Sequence, residues 1–381
     1  MLDTQKHLFS LDETVTYING AYMSPQLKTV EETGIKALLR KSQPSSIAPD
    51  DFFSHRKLLK QRFAQLINAP DYQNCAIIPS VSYGIATVAK NIHLEKGDEI
   101  LIVDEQFPSN VYAWREKEKT QGALIKIVSA PETKTGRAQQ WNEDILKAIT
   151  PKTKVVAMGH IHWADGTLFD LVAIRKKAHS VGAKLIIDGT QSVGALPFSV
   201  QEIQPDALIC AGYKWLMGPY SIGMAYYADS FNDGQPLEYN WINRKNSEDF
   251  NQLVNYQDSY KPKADKYSVG ESSNFILVPM QIAALDQLLA WGQDAIQEYT
   301  HHISATAIKA LRAKGCFIEE DTHRSKHLFG IYLPESLEME VVKARFRENN
   351  ISVGFRGKAI RVAPHLYNTQ EDFEKFLDCF D

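Results

Sequence analysis

Between about residues 75 and 230, short apolar runs alternate with longer stretches whose apolar and charged positions recur at helical spacing. The runs CAIIP, EILIVD, ALIKIV, KVVAMG, AKLIID, DALIC and IGMAYY are strand candidates. Most are apolar throughout rather than alternating, the pattern of a mainly parallel sheet covered on both faces. Between them, VYAWREKEK and DLVAIRKKAHSVG read as crossover helices, with Gly182 at the C-terminal end of the second. Repeated strand-helix cycles of roughly 25 to 30 residues are the rhythm of βαβ units and predict a doubly wound α/β domain.

A polar stretch from Asp229 to Tyr267 interrupts this pattern. Beyond it, residues 278–315 read as one long helix, followed by a weaker α+β tail. The expected organisation is a large α/β domain over 15–275 and a smaller α+β domain over 276–381, joined by an N-terminal arm of residues 1–14. The sequence holds no internal repeat and no low-complexity tract.

Composition narrows the classes. Of 381 residues, 44% are hydrophobic and 10% aromatic, enough for a folded core. The 42 basic and 46 acidic side chains leave a net charge of −4, so no broad positive field draws nucleic acid or an anionic membrane. No uncharged apolar run approaches the ~18 residues of a membrane span, and the opening MLDTQKHLFSLDE lacks the layout of a secretory signal. Cys75, Cys210, Cys316 and Cys379 are far apart and outside any metal-ligand spacing, which points away from zinc and disulfides. A cytoplasmic, soluble protein is expected.

The chemistry concentrates in two strand ends. AKLIIDGTQSVGA delivers Asp188 and Gln191, and DALICAGYKWLMGP delivers Lys214, 26 residues after Asp188, in a turn bounded by Gly212 and Gly218. Both fall at the carboxyl edge of the predicted sheet, where open α/β sheets bind ligands. A converging amine and carboxylate suit pyridoxal 5′-phosphate. The amine meets the cofactor's aldehyde, and the carboxylate keeps its pyridine nitrogen protonated, so that the ring accepts electrons.

IIDGTQSVGA, AGYKWLMGP and IRVAPHLYNTQEDF, in this order and spacing, resemble the class V aminotransferase group of fold-type I pyridoxal phosphate enzymes. That group includes cysteine desulfurases, kynureninases and isopenicillin N epimerase-like proteins, and the resemblance covers nearly the whole chain. It implies the PLP-dependent transferase fold, with Lys214 as the Schiff-base lysine, Asp188 on the pyridine nitrogen and Gln191 donating to the phenolic oxygen. PSVSYGIATVAKNI resembles the phosphate loop, with the Ser82 hydroxyl and backbone N–H groups near Val81 and Tyr83 meeting the anion at a helix start. Phe107 stands where the family stacks an aromatic ring on the pyridine. Tyr213 would reach the phosphate. Trp163 departs from the asparagine usual in desulfurases.

The resemblance further implies that Arg361 forks onto the substrate's α-carboxylate. Asn19 and Tyr22 match a loop closing over the substrate. Gly270, Glu271 and Ser272 resemble the segment that enters the other subunit's phosphate site in a homodimer. His160 and His162 are spaced to share one face of a strand but lack a third ligand, so no metal site is expected.

Cysteine desulfurases carry a mobile cysteine on the loop before the carboxylate-binding arginine. Here that interval, FRENNISVGFRGKAI, has none. The expectation is therefore a class V aminotransferase-like enzyme acting at the α-carbon of an amino or keto acid. A lyase or epimerase of the isopenicillin N epimerase-like kind is the alternative, and a non-catalytic scaffold that keeps the binding motif is a third reading. No GxGxxG is present to support a dehydrogenase.

Overall fold

The computed structural model describes residues 2–381. All seven strand candidates form: β2 (Cys75–Ile78), β3 (Glu99–Val103), β4 (Leu124–Val128), β5 (Thr153–Gly159), β6 (Lys184–Asp188), β7 (Ala207–Ala211) and β8 (Gly223–Tyr227), after a short β1 (Thr16–Tyr17). They make one seven-stranded sheet in the order β2-β8-β7-β6-β5-β3-β4. Its pairings are parallel except that β8 runs antiparallel to both β2 and β7. The antiparallel strand follows from chain length, because only the turn that carries Lys214 separates β7 from β8, too few residues for a parallel crossover.

The continuous apolar runs are explained by burial on both faces. Ile77, Leu101, Val156, Leu185, Leu208 and Met224 pack into one cluster. Their strand neighbours Ile78, Ile102, Val155, Ile186, Ile209 and Ala225 pack into the other. β4 is one of the two edge strands, and it carries exposed Leu124 and Ile127 and half-buried Lys126.

Both crossover helices form, as Tyr112–Gln121 and Leu171–Ser180. The long C-terminal helix does not. It is two helices, Leu277–Trp291 and Gln293–Ala313, broken at Gly292, whose φ of +79° and ψ of 136° no helix accepts. Apolar periodicity runs through both halves, so it hides a break that one left-handed glycine makes.

The polar stretch after β8 is not free loop. It returns to the sheet, where the Val269 N–H donates to Ile77 O at 2.9 Å. Asp265 is held by Lys60 at 2.7 Å and Arg56 at 3.3 Å. The C-terminal part builds a three-stranded sheet, β9 (Phe329–Tyr332), β11 (Gly354–Arg356) and β12 (Ala359–Val362), in the order β11-β12-β9. β10 (Ile351–Ser352) pairs in parallel with β1, and Asn19 bridges Ala363. Residues 16–19 are thus hydrogen-bonded to the C-terminal part, which sets Asn19 beside the β11–β12 hairpin.

Among the described residues no helix is long and apolar enough to cross a membrane.

Candidate active site

The carboxyl ends of β5, β6 and β7 open into a cavity of about 260 Å³ lined by Val81, Ser82, Phe107, Trp163, Asp188, Gln191, Tyr213 and Lys214, among others. Eight of the residues singled out in the sequence therefore surround one space. It lies where the order of an α/β sheet leaves a crevice, near the lower end of the roughly 300–1,000 Å³ usual for ligand sites.

Lys214 sits in a tight turn after β7. The Met217 N–H donates to Lys214 O at 3.0 Å, and the Gly218 N–H donates to Gly212 O at 2.8 Å. The turn is threaded by Gln281, which is fully buried and donates through Nε2 to Leu216 O at 3.0 Å. A methyl on Gly218 would fall 1.9 Å from Gln281 Oε1, and one on Gly212 2.5 Å from the same atom. These glycines make room for the side chain that holds the lysine loop.

Only 6% of Lys214 is exposed, and its Nζ lies 5.3 Å from the centre of the Phe107 ring and 5.6 Å from that of Tyr213. Burial pulls its amine down to about 8; Asp188 opposes the shift, while Arg361 and Arg356 add to it. For Asp188, burial pushes the carboxyl up, against the Thr190 N–H at 3.0 Å and the Lys214 charge. A buried carboxylate that lacks a full countercharge suits a protonated ring nitrogen.

Gln191 is held in one orientation. Its Oε1 accepts from the Trp215 indole at 2.9 Å, and since indole nitrogen only donates, the amide nitrogen faces the other way. That nitrogen gives one hydrogen to Ala21 O at 3.1 Å and keeps the second. His327 fixes the backbone from behind, donating through Nε2 to Gln191 O at 2.8 Å while Nδ1 accepts from Gln297 at 2.8 Å. Burial lowers this imidazole to about 4, so it is neutral.

The helix Val81–Lys90 begins at the cavity wall. Ser80 caps it, taking the Tyr83 N–H at 3.2 Å and lying 2.9 Å from the Ser82 hydroxyl. This leaves Val81 and Ser82 at the open N-terminus. Tyr83 does not line the cavity. Its hydroxyl pairs with Glu238, which also takes the Gly270 N–H at 2.5 Å. Gly270, Glu271 and Ser272 likewise stay outside this cavity, and the Ser272 hydroxyl is buried without a partner. Tyr213 stacks obliquely on Tyr220, with ring centres 4.6 Å apart.

Trp163 divides the cavity from a second group of residues. Its indole N–H donates to Glu105 O at 2.6 Å, and its ring meets Phe107 edge-on at 5.4 Å. Arg361 lies behind it, 1% exposed, with Nη1 donating to Trp163 O at 3.1 Å. Nε and Nη2, the other edge of the guanidinium, have no partner, nor has Asn19 Oδ1. These atoms converge over Gly354, where a methyl would fall 3.1 Å from Nε, 3.3 Å from Nη2 and 3.3 Å from Asn19 Oδ1. A buried guanidinium with one open edge is a seat for a carboxylate. Tyr22 is 58% exposed and does not line the cavity.

His160 and His162 do not share a strand face, because β5 ends at Gly159. His160 packs on Phe198, whereas His162 approaches Asp165 at 3.3 Å. All four cysteines are buried and none lines the cavity.

Sequence reasoning missed Thr190, Trp215, Gln281, His327, Gly354 and Arg356. They carry no motif of their own and reach the site through contacts distant in the chain.

The profile of the family described as aminotransferase class V matches residues 52–376, and the chain belongs to that family. It is 25% identical over 321 residues to the uncharacterized aminotransferase YcbU of Bacillus subtilis, covering 84% of this chain and 81% of that one. It is 23% identical to isopenicillin N epimerase of Amycolatopsis lactamdurans, covering 97% and 95%. Proteins described as cysteine desulfurases also match. Among solved structures, a variant of C-DES with glycine covalently linked to the PLP cofactor superposes with a TM-score of 0.84 at 17% identity, covering 98% of each chain. The fold is that of the fold-type I enzymes, and the family's cofactor is pyridoxal 5′-phosphate.

Proposed function

We propose that this enzyme changes a bond at the α-carbon of an amino acid, with transamination as the leading reaction. The observation that carries the reading is Lys214: a buried amine lowered to about 8, facing an aromatic ring, with Asp188 in the same cavity. Such an amine has a reactive neutral fraction at neutral pH, where an ordinary lysine has almost none.

Lys214 would hold the cofactor, Asp188 would keep its ring nitrogen charged, and the spare Gln191 hydrogen would go to its phenolic oxygen. Val81 and Ser82 would meet its phosphate, with Tyr213 beside them. Phe107 would cover its ring and Trp163 would wall it. Bound pyridoxal phosphate supplies an electron sink for the pair left at the α-carbon when a bond there breaks. Arg361 would fork onto the α-carboxylate with its open edge, Asn19 and Tyr22 closing over it. Phe107 has no titratable group, so Lys214, once released, is the base that takes the α-proton and returns it.

Two features support a reading apart from Cys-dependent desulfuration. The cavity has no cysteine, and burial raises the Cys75 thiol to about 12 and Cys210 higher still. The nearly full-length likeness to isopenicillin N epimerase favours an epimerase or lyase as the second reading. Product analysis separates the readings. Transamination gives about one equivalent of keto acid per site and then stops until a second keto acid is added, whereas a lyase or epimerase turns over continuously. We further propose a homodimer in which Gly270, Glu271 and Ser272 complete the partner's phosphate site. A monomer by analytical ultracentrifugation of the loaded protein would contradict it.

A further inference from the structure

The β11–β12 hairpin carries a second arginine. Register pairs Gly354 with Arg361 and Arg356 with Ala359. Residues two apart share a face, so Arg356 is the diagonal neighbour of Arg361 on the side that faces Trp163. Both guanidiniums reach that indole, Arg356 at 5.4 Å and Arg361 at 5.9 Å from the ring centre.

Arg356 has no carboxylate within ion-pair distance among the described residues. Its one hydrogen bond is from Nη1 to Phe355 O at 2.6 Å. Glu105, whose Oε1 would lie 3.8 Å from a methyl on Gly357, is the nearby acid, yet it makes no ion pair with Arg356. Two guanidiniums therefore share one indole, and the Lys214 amine lines the cavity that the same indole walls. Burial is the main reason that Lys214 and Arg361 are both lowered; Arg361 and Arg356 add to the shift of Lys214, and Arg356 to that of Arg361.

With the cofactor and an amino acid bound, Asp188 would be matched by the ring nitrogen and Arg361 by one α-carboxylate. Arg356 is left over, half-buried and beside the substrate's place. A like charge beside a buried arginine costs free energy unless an anion is brought in.

We propose that Arg356 receives a second carboxylate, on the substrate's side chain, so that the site selects acidic amino acids over their amides. This rests on the amino-acid reading above. The occupant's far end would lie against the Trp163 ring, which can flank an aliphatic stem of two or three carbons while the charged groups meet the two arginines.

The test is equilibrium binding to the cofactor-loaded protein, read by cofactor absorbance and in parallel by calorimetry. The probes are L-aspartate with L-asparagine and L-glutamate with L-glutamine. In at least one pair the acid binds roughly tenfold or more tightly than its amide, and which pair does so measures the reach to Arg356. Arg356→Gln brings that ratio to about one, Arg356→Lys retains part of it, and Arg361→Gln weakens acid and amide alike. Three results overturn the inference alone: no acid preference in the parent protein, a preference that survives Arg356→Gln, or equal weakening of acid and amide by Arg356→Gln. No response to any amino acid would overturn the amino-acid reading and this inference with it.

Discussion

Lys214 was legible in the sequence because its signal is local: a strand, a glycine-bounded turn and an amine placed 26 residues after another strand-end carboxylate. Its depressed pKa was not, since that comes from burial and from Arg361 and Arg356, more than a hundred residues away. The neutral amine is the nucleophile, so reactivity rises as pH climbs through the folded pKa. In the cofactor-free protein, labelling of Lys214 by an amine-selective reagent, read by peptide mass mapping, should rise with a midpoint of about 8 rather than 10.5. Gly354 is invisible to motif reading because its role is the absence of a side chain. Gly354→Ala would push a methyl against the open edge of Arg361 and should raise KM for the amino acid about tenfold with a smaller change in kcat.

At the level of elements, patterning located all seven strands of the main sheet because burial on both faces leaves long apolar runs. It misjudged the helix over 278–315, where a single positive-φ glycine at 292 outweighs a continuous period. It also put His160 and His162 on one strand face, whereas β5 ends at Gly159, before both. The lysine turn is an element held from outside, since Gln281 of the helix Leu277–Trp291 passes between Gly212 and Gly218. Gly218→Ala forces Gln281 or the turn to move and should cost about 1–3 kcal/mol in urea unfolding. It should also slow cofactor uptake, because Lys214 loses its fixed position.

Across the whole molecule, a buried network joins the large sheet to the C-terminal part. Asp165, just beyond β5, accepts from the Tyr332 hydroxyl of β9 at 2.8 Å and pairs with Arg137 at 3.1 Å; Arg137 also approaches Glu319 at 3.7 Å. Burial alone would raise the Asp165 carboxyl, but His162, Arg137 and Thr167 outweigh it and hold it well below 3.8. Its contribution to stability is therefore full above the unfolded value of 3.8 and fades as pH falls towards the folded one. Asp165→Asn should cost about 3–5 kcal/mol near neutral pH. The gap from the parent protein should narrow only below about pH 4, as thermal melts at several pH values would reveal. None of this was legible in the sequence, because its members are spread from Arg137 to Tyr332 and carry no common pattern.

The proposed chemistry depends most on Lys214 as the residue that holds the cofactor. Borohydride reduction of the loaded protein, followed by proteolysis and mass mapping, tests this directly. One cofactor-derived mass increment is expected, on the peptide containing Lys214, with its loss in Lys214→Ala. An increment on any other lysine, or none in protein that visibly carries the cofactor, would contradict it.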